Sequence, residues 1–145
     1  SKAGFNWYEL SNWSKPGGEC RHNIAYWQGD NWWGLGPGAH SHIDGVRFWN
    51  VKHPTTYKNL LESKGSPVMD SETLVAVQIE SERIMLAIRL PSGISKASLS
   101  GESLARIESY VTAGQLSAQS WEAGVVSLTR SGRLMADRIV REILL

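Results

Sequence analysis

The chain has 145 residues, including 15 Lys and Arg, 14 Asp and Glu, one cysteine and seven tryptophans. This length suits one domain or two small ones, and a hydrophobic content of 41% is enough for a folded core and argues against disorder. The net charge of +1 removes the main electrostatic signature of a nucleic-acid binder. The single cysteine excludes an internal disulfide, and a cysteine-ligated zinc site or iron–sulfur cluster held by this chain alone.

The composition changes near residue 58. Six of the seven tryptophans and all four histidines precede that point, whereas residues 59–145 are rich in Leu, Ile, Val, Ala, Ser and Glu at helical spacing. We therefore expect residues 1–58 to carry the functional site and residues 59–145 to form a scaffold. No apolar run reaches the roughly 18 residues of a membrane-spanning helix, and no signal peptide is visible.

The first half is predicted to alternate between short strands and helices. Asp44-Gly45 between two β-like segments is the strongest short signal for a hairpin. In chain order, we expect a strand at 5–10, a helix at 19–28 stopped by Gly29, a buried strand at 32–35, a hairpin with strands at 41–43 and 46–49, and a helix at 54–63.

The second half is predicted to be mainly helical. In chain order, we expect a helix from a cap at Asp70 or Ser71 to about Leu90, a helix at 103–113, a strand at 124–128 paired with 117–121, and a last helix capped by Thr129. The first helix would bury Leu74, Val77, Ile84 and Ile88, and the last Ala136, Ile139, Val140, Ile143 and Leu144. Helices, a short β-ribbon and a closing helix resemble a winged-helix arrangement.

The string Arg21-His22-Asn23-Ile24-Ala25-Tyr26-Trp27 is the most distinctive in the chain. On a helix, His22 and Tyr26 share one face, and Asn23 and Trp27 form a parallel pair beside it. An imidazole flanked by flat rings suits a macrocycle whose iron it ligates, and Cys20 could offer a thiolate instead. An aromatic core cluster with a hydrogen-bonded histidine is the commoner arrangement of such residues, so both interpretations stay open.

The second string is a glycine-rich loop. Its glycines would let backbone N–H groups approach a ligand, but a plain turn explains the same spacing. It is not a dinucleotide-binding fingerprint, since a hairpin rather than a helix follows it. Its candidate binding residues are Gly34, Gly36, Gly38, Ala39, His40 and Ser41.

Three other kinds of site are weaker. His40 and His42 share one side of a strand and His22 could join them, but no acidic residue lies at the spacing of a zinc site. No serine occupies a nucleophile elbow, so we assign no catalytic residue. A basic face of the last helix could contact phosphate or remain solvated; it contains Arg133, Arg138 and Arg141, interleaved with acidic residues.

Four blocks taken together resemble the C-terminal part of the oxygen-independent coproporphyrinogen III oxidase-like radical SAM proteins, and in particular the haem chaperone HemW group. Leu128-Thr129-x-x-Gly132-Arg133-Leu134-x-Ala136-Asp137 adds to the resemblance, which covers nearly the whole chain. The four blocks are Tyr8-Glu9-Leu10-Ser11-Asn12-Trp13, Glu19-Cys20-Arg21-His22-Asn23-x-x-Tyr26-Trp27, Trp33-Gly34-Leu35-Gly36-x-Gly38-Ala39-His40-Ser41, and Trp49-Asn50-x-Lys52-x-Pro54-x-x-Tyr57.

The resemblance implies an α+β fold. The strand, helix and β-hairpin of residues 1–58 would be a remnant of a radical SAM barrel edge, and residues 59–145 a mostly helical, winged-helix-like C-terminal domain. It also implies an N-terminal barrel in a longer chain, with S-adenosylmethionine and a [4Fe–4S] cluster whose ligands are absent here.

The same resemblance assigns roles to both strings. The group's proposed haem-binding motif falls on His22, Asn23, Tyr26 and Trp27, with His22 as the iron ligand. The loop 34–41 resembles one that lines a porphyrin or S-adenosylmethionine position in the oxidases, although His40 replaces an apolar residue there.

Three functions therefore remain open. The first is a cytoplasmic haem-handling module, membrane-peripheral in the longer protein, which binds haem or porphyrin and passes haem to a respiratory acceptor. The second is part of a true coproporphyrinogen III oxidase, in which this region alone is no enzyme. The third is a winged-helix nucleic-acid binder, disfavoured because its putative recognition helix has Arg106 beside Glu102 and Glu108. Exposed tryptophans of residues 1–50 also predict self-association.

Overall fold

A computed structural model describes residues 3–145 of the chain. They fall into two compact units, one comprising residues up to Gly29 together with Glu80–Leu145, and the other Asp30–Ile79. The predicted boundary near residue 58 lies inside the second unit, because composition and packing divide the chain at different places. Within the described residues, no helix is both long and apolar enough to cross a membrane.

Helices and strands are both short. The described residues contain helices at Arg21–Gln28 (α1), Pro54–Lys64 (α2), Ala76–Ala87 (α3), Gly101–Thr112 (α4), Ala118–Glu122 (α5) and Ala136–Leu144 (α6). Their strands are Asn6–Trp7 (β1), Trp13–Ser14 (β2), His40–Ile43 (β3), Val46–Asn50 (β4), Val68–Thr73 (β5), Ile94–Ser95 (β6) and Val125–Val126 (β7). Two 3₁₀ turns cover Lys96–Ser98 and Gly132–Met135. This mixture of elements has the predicted α+β character.

The unit at 30–79 is built on an antiparallel sheet of order β3-β4-β5. The predicted hairpin is confirmed, with Asp44 (φ 49°) and Gly45 (φ 79°) forming its two-residue turn in the left-handed region. The predicted cap at Asp70 or Ser71 is wrong, because β5 pairs with the free edge of β4 and brings Ser71 opposite Phe48. A strand with an unpaired edge needs such a partner for its backbone groups, and sequence periodicity does not reveal it.

The long helix therefore begins later than predicted, at Ala76. The side chain of Gln78 accepts a hydrogen bond from the backbone N–H of Val75 at 2.9 Å, which satisfies a donor at the start of the helix. Val77, predicted to be buried, is 75% exposed. Ile84 and Ile88, farther along, are buried as predicted.

The predicted buried strand at 32–35 is also wrong. Trp32 makes one isolated bridge to His42, but Trp33 and Leu35 are exposed. The chain approaches the neighbouring backbone at Gly34, where a Cβ atom would lie 2.0 Å from the carbonyl oxygen of His40. This segment is consequently a closely held loop.

The main hydrophobic core lies in the unit that contains residues 80–145. Ser100 caps α4 by accepting a hydrogen bond from the N–H of Ser103, and α4 packs on α6. Leu144, predicted to be buried, is 43% exposed at the end of the chain's last helix. The buried apolar residues are Ile84, Ile88, Ile94, Ile107, Tyr110, Leu116, Val126, Leu128, Ala136, Ile139, Val140 and Ile143.

A small β-ribbon completes this unit, with a different partner from the one predicted. β7 pairs with β6, and Leu116 bridges Leu128. Residues 117–121 were predicted to pair with β7, but Ser117 caps α5 by accepting a hydrogen bond from the N–H of Ser120. Thr129 caps the 3₁₀ turn before α6, since its Oγ1 accepts from the N–H of Gly132 at 3.1 Å.

Candidate functional site

The helix α1 carries the first group of candidate residues. It begins after Cys20 and ends, as predicted, at Gly29, whose left-handed backbone (φ 74°) closes the last turn. His22 is exposed and Tyr26 is 37% exposed, and their ring centroids lie 4.8 Å apart in an edge-to-face arrangement. This face of α1 therefore presents an accessible imidazole beside an accessible phenol ring.

The neighbouring pair on α1 is more enclosed. Asn23 and Trp27 are half-buried, and among the described residues their side-chain nitrogens, Nδ2 and Nε1, are buried without a hydrogen-bond partner. The Arg89 guanidinium lies over the Trp27 ring, 6.0 Å from its centroid, and also binds the carbonyl of Met85 and the carboxylate of Asp137. Trp27 is thus packed on one side, while His22 and Tyr26 face outward.

The free thiol of Cys20 is exposed immediately before α1. Its backbone carbonyl accepts a hydrogen bond from the N–H of Ile24 at 3.0 Å, which fixes it at the start of the helix. An accessible thiol two residues before His22 remains a second ligand candidate, since a thiolate binds iron as an imidazole does.

The glycine-rich loop lies in the other unit and is held by three side chains. The Ser41 hydroxyl accepts from the N–H of Gly34 at 2.9 Å, and the Tyr57 hydroxyl accepts from the N–H of Gly36 at 3.3 Å. Asn50, 5% exposed, donates from Nδ2 to the carbonyls of Gly34 (3.3 Å) and Gly36 (3.0 Å). Sequence reasoning placed Ser41 at a ligand and gave Asn50 and Tyr57 no role, although both lie in the fourth resemblance block.

The backbone donors of this loop are also engaged within the unit. Besides those of Gly34 and Gly36, the N–H of Gly38 donates to the carbonyl of Val51 at 2.9 Å and that of Ala39 to the carbonyl of Gly36 at 3.3 Å. These four N–H groups therefore do not converge on an open anion site. What the loop presents is the surface of its glycine backbone and the exposed side chains of Leu35 and His40.

The histidines of β3 stack on aromatic neighbours. His40 lies 5.8 Å from the Trp49 ring at an interplanar angle of 27°, and His42 lies 4.9 Å from the Trp32 ring. Among residues 3–145, no cluster of three or more His, Cys, Asp or Glu side chains could hold a metal ion. The residues described here therefore do not fit the cysteine ligand set of a [4Fe–4S] cluster.

Basic side chains of the second half are mostly used within the fold. Arg106 of α4, considered for nucleic-acid contact, donates from Nε to the carbonyl of Glu142 at 2.8 Å. Arg133 does not extend the basic face of α6, because it lies in the preceding 3₁₀ turn, where its guanidinium lies over the rings of Trp7 and Trp13. No local pattern joins residues so far apart in sequence, so spacing could not reveal this contact.

Comparisons with known proteins bear on both groups of residues. No model of a known protein family matches the chain. The protein named heme chaperone HemW of Mycobacterium tuberculosis (strain ATCC 25618 / H37Rv) is 46% identical over 144 residues, or 99% of this chain. The chain belongs to the HemW group, whose C-terminal portion it matches. It spans 36% of the length of the M. tuberculosis HemW.

Other HemW proteins match shorter segments. HemW of Synechocystis sp. is 40% identical over 102 residues, covering 68% of this chain and 24% of that protein. HemW of Bacillus subtilis is 37% identical over 93 residues, covering 64% of this chain and 24% of that protein. The family resemblance read from the sequence blocks is confirmed by these matches.

A solved structure shows the same fold. Coproporphyrinogen III oxidase (HemN) from Escherichia coli, described as a radical SAM enzyme, superposes with a TM-score of 0.71 and 13% sequence identity. The match covers 98% of this chain and 37% of that chain. The predicted α+β class, with its likeness to the radical SAM oxidases, is therefore confirmed at the level of fold.

Proposed function

We propose that this HemW-type chain binds haem on the outward face of α1, with the imidazole of His22 as a ligand of the iron. The observation that carries the proposal is the accessibility of His22 next to the partly exposed ring of Tyr26, 4.8 Å away. A histidine buried in a core and hydrogen-bonded there could not reach an iron atom. The names of the matching proteins, heme chaperones, support the same ligand.

The residues of α1 fit such a ligand. Haem supplies an iron atom that takes a neutral imidazole nitrogen as axial ligand, together with a broad apolar ring. His22 would provide the nitrogen, and Tyr26 and Trp27 would lie against the ring and exclude water. Asn23, whose Nδ2 has no partner among the described residues, would offer a donor beside them.

The glycine-rich loop has a supporting part in the proposal. Residues Gly34–Ser41 would form a flat wall against a porphyrin or S-adenosylmethionine, through glycine backbone and the side chains of Leu35 and His40, since the loop's N–H groups are engaged. S-adenosylmethionine and the [4Fe–4S] cluster would belong to the barrel of the longer protein. The proposal includes delivery of haem to a respiratory acceptor, and a cytoplasmic, membrane-peripheral location, both resting on the resemblance.

Titration with hemin tests the assignment of His22. We expect wild-type protein to give a Soret band that is strongly weakened in His22→Ala and unchanged in the matched control His53→Ala, which removes another exposed histidine. Cys20→Ser should leave the band unchanged, because the proposal assigns the iron to the imidazole. An unchanged spectrum in His22→Ala would remove His22 as the ligand, and a band lost in Cys20→Ser would assign the thiolate.

The second candidate function, favoured by the fold shared with HemN, is that of a true oxidase region. In that case α1 and the loop would help to enclose coproporphyrinogen III, whereas the radical chemistry would take place elsewhere in the longer protein. Anaerobic incubation of the full-length protein with coproporphyrinogen III, its cluster and S-adenosylmethionine separates the two. Formation of protoporphyrinogen IX would favour the oxidase, and haem binding without decarboxylation would favour the chaperone.

A further inference from the structure

A cavity separate from the residues assigned above lies beside the ribbon β1–β2. Its volume is about 270 Å³, and it is lined by Leu10, Trp13, Arg130, Arg133 and Leu134, all in the unit that contains the main core. Leu10 packs against that core, whereas Trp13 is 46% exposed and Leu134 is 90% exposed. The cavity therefore has an apolar floor and rim, together with two cationic side chains.

Arg133 is held in place by two indole rings. Trp7 and Trp13 are cross-strand partners, so both rings project from the same face of the ribbon. The guanidinium of Arg133 lies 4.3 Å from the Trp7 ring centroid and 5.3 Å from that of Trp13. A guanidinium that stacks by its flat face keeps its N–H donors at its edge, where they can bind a planar anion in bidentate fashion.

The positive charge in this cavity is not balanced locally. Burial, and then the neighbouring charge of Arg130, lower the pKa of Arg133 below its ordinary value. In the described part of the chain, no carboxylate forms a salt bridge with either arginine. Two adjacent, partly desolvated cations repel each other, and a bound anion would relieve that repulsion.

We propose that this cavity binds the carboxylate-bearing edge of a planar, apolar molecule, with Arg130 and Arg133 on the carboxylate and Trp13, Leu10 and Leu134 against the apolar part. Guanidinium pairs match carboxylate oxygens in geometry and charge. The apolar rim favours an amphipathic carboxylate over a small hydrated anion. A porphyrin with propionate side chains belongs to this class, and its choice as the probe rests on the proposed function.

Metal-free protoporphyrin IX tests the cavity independently of His22, because without iron there is nothing for the imidazole to ligate. We expect the wild-type chain to bind it, and Arg130→Gln/Arg133→Gln to weaken binding roughly tenfold or more, as for loss of charge-assisted hydrogen bonds. The matched control Arg138→Gln/Arg141→Gln removes the same charge from exposed positions of α6 and should bind like wild type. The dimethyl ester of protoporphyrin should bind the wild-type chain as weakly as the acid binds the double variant.

The remaining arms separate this proposal from its rivals. His22→Ala should leave metal-free porphyrin binding unchanged; a loss equal to that of the arginine variant would place the porphyrin on α1 and overturn the assignment of the cavity. Equal effects of the two double variants would indicate general charge attraction and overturn it as well. Displacement by equimolar inorganic phosphate would show a simple anion site instead.

Folding must be separated from binding in these variants. Arg130→Gln alone is the second variant, because Arg130 makes none of the ring contacts of Arg133. It should weaken binding while leaving the circular dichroism spectrum and thermal transition as in wild type. Unaltered affinity in a folded Arg130→Gln/Arg133→Gln or Arg130→Gln protein would overturn the proposal.

Discussion

Asn50 holds the backbone at Gly34, since its buried side-chain Nδ2 donates to the Gly34 carbonyl at 3.3 Å. The same nitrogen also donates to the carbonyl of Gly36 at 3.0 Å, so one amide sets the path of the loop over two residues. The loop is therefore shaped by the fold before any ligand is present. Residues of its sequence block that look like ligand contacts act in part as its internal supports.

Asn50→Leu should destabilise the protein by about 1–3 kcal/mol, because two carbonyls of the loop lose their donor. Chemical denaturation, followed by tryptophan fluorescence, measures the change. The control is Asn59→Ala on the exposed surface of α2, expected to change stability by less than about 0.5 kcal/mol. If both variants unfold at the same denaturant concentration as wild type, Asn50 does not hold the loop.

Gly34→Ala should destabilise the protein by about 1–3 kcal/mol or more, since the new Cβ would lie 2.0 Å from the His40 carbonyl oxygen. The backbone of β3 would have to move to make room. Gly101→Ala is the matched control, because no atom lies within 4 Å of its Cβ position and it begins α4, so stability should be unchanged or rise slightly. Thermal unfolding of the two variants gives the comparison, and a Gly34→Ala protein as stable as Gly101→Ala would contradict the close packing.

Arg89 and Asp137 should be energetically coupled. Arg89 is 8% exposed and carries its charge inside the unit, so Asp137→Asn leaves that charge without its partner. Because Asp137 is itself solvent-exposed, we expect a loss of about 1 kcal/mol instead of the larger cost of a fully buried pair. In a double-mutant cycle with Arg89→Met, the two losses should be clearly less than additive. Strict additivity would show that the contact contributes nothing.

Arg89 should also position Trp27 for the ligand of α1. Arg89→Met removes the guanidinium from the Trp27 ring but leaves His22 in place. We expect hemin affinity to fall a few-fold with an unchanged Soret maximum, since the iron keeps its ligand while one wall of the site loosens. A shifted maximum would instead mean that Arg89 affects the ligation of the iron itself.

The exposed side chains of Trp33 and Leu35, at 66% and 83%, should promote self-association. Light scattering at increasing protein concentration should show a mass above that of the monomer, and Trp33→Ser/Leu35→Ser should lower it. Val75→Ser removes another exposed apolar side chain, from the segment preceding α3, and should have no such effect. A monodisperse wild-type monomer at all concentrations would contradict the expectation.

Local chemistry made part of this fold predictable. Asp44-Gly45 specifies its hairpin through backbone angles that few other residues adopt, and Gly29 ends α1 for the same reason. Long-range pairing was not predictable, because β5 forms only where β4 offers a free edge. The segment around Asp70 has polar residues that cap helices as readily as they line an edge strand.

The candidate sites divide along the same line. His22 and Tyr26 are one helical turn apart, so their adjacency follows from the sequence once α1 is recognised. Arg133 and Trp7 lie at opposite ends of the chain and meet only through tertiary packing. Asn50 and Tyr57 carried the family resemblance, but their hydrogen bonds to the loop became visible only in three dimensions.

Chemical rescue of His22→Gly tests the central claim, ligation of haem iron by His22, most directly. Removal of the imidazole should abolish co-elution of hemin with the protein in gel filtration, and added imidazole should restore both co-elution and a histidine-type Soret band. Imidazole should have no effect on hemin binding by the control His53→Gly. Retention of hemin by His22→Gly with the wild-type spectrum, in the absence of imidazole, would contradict the claim.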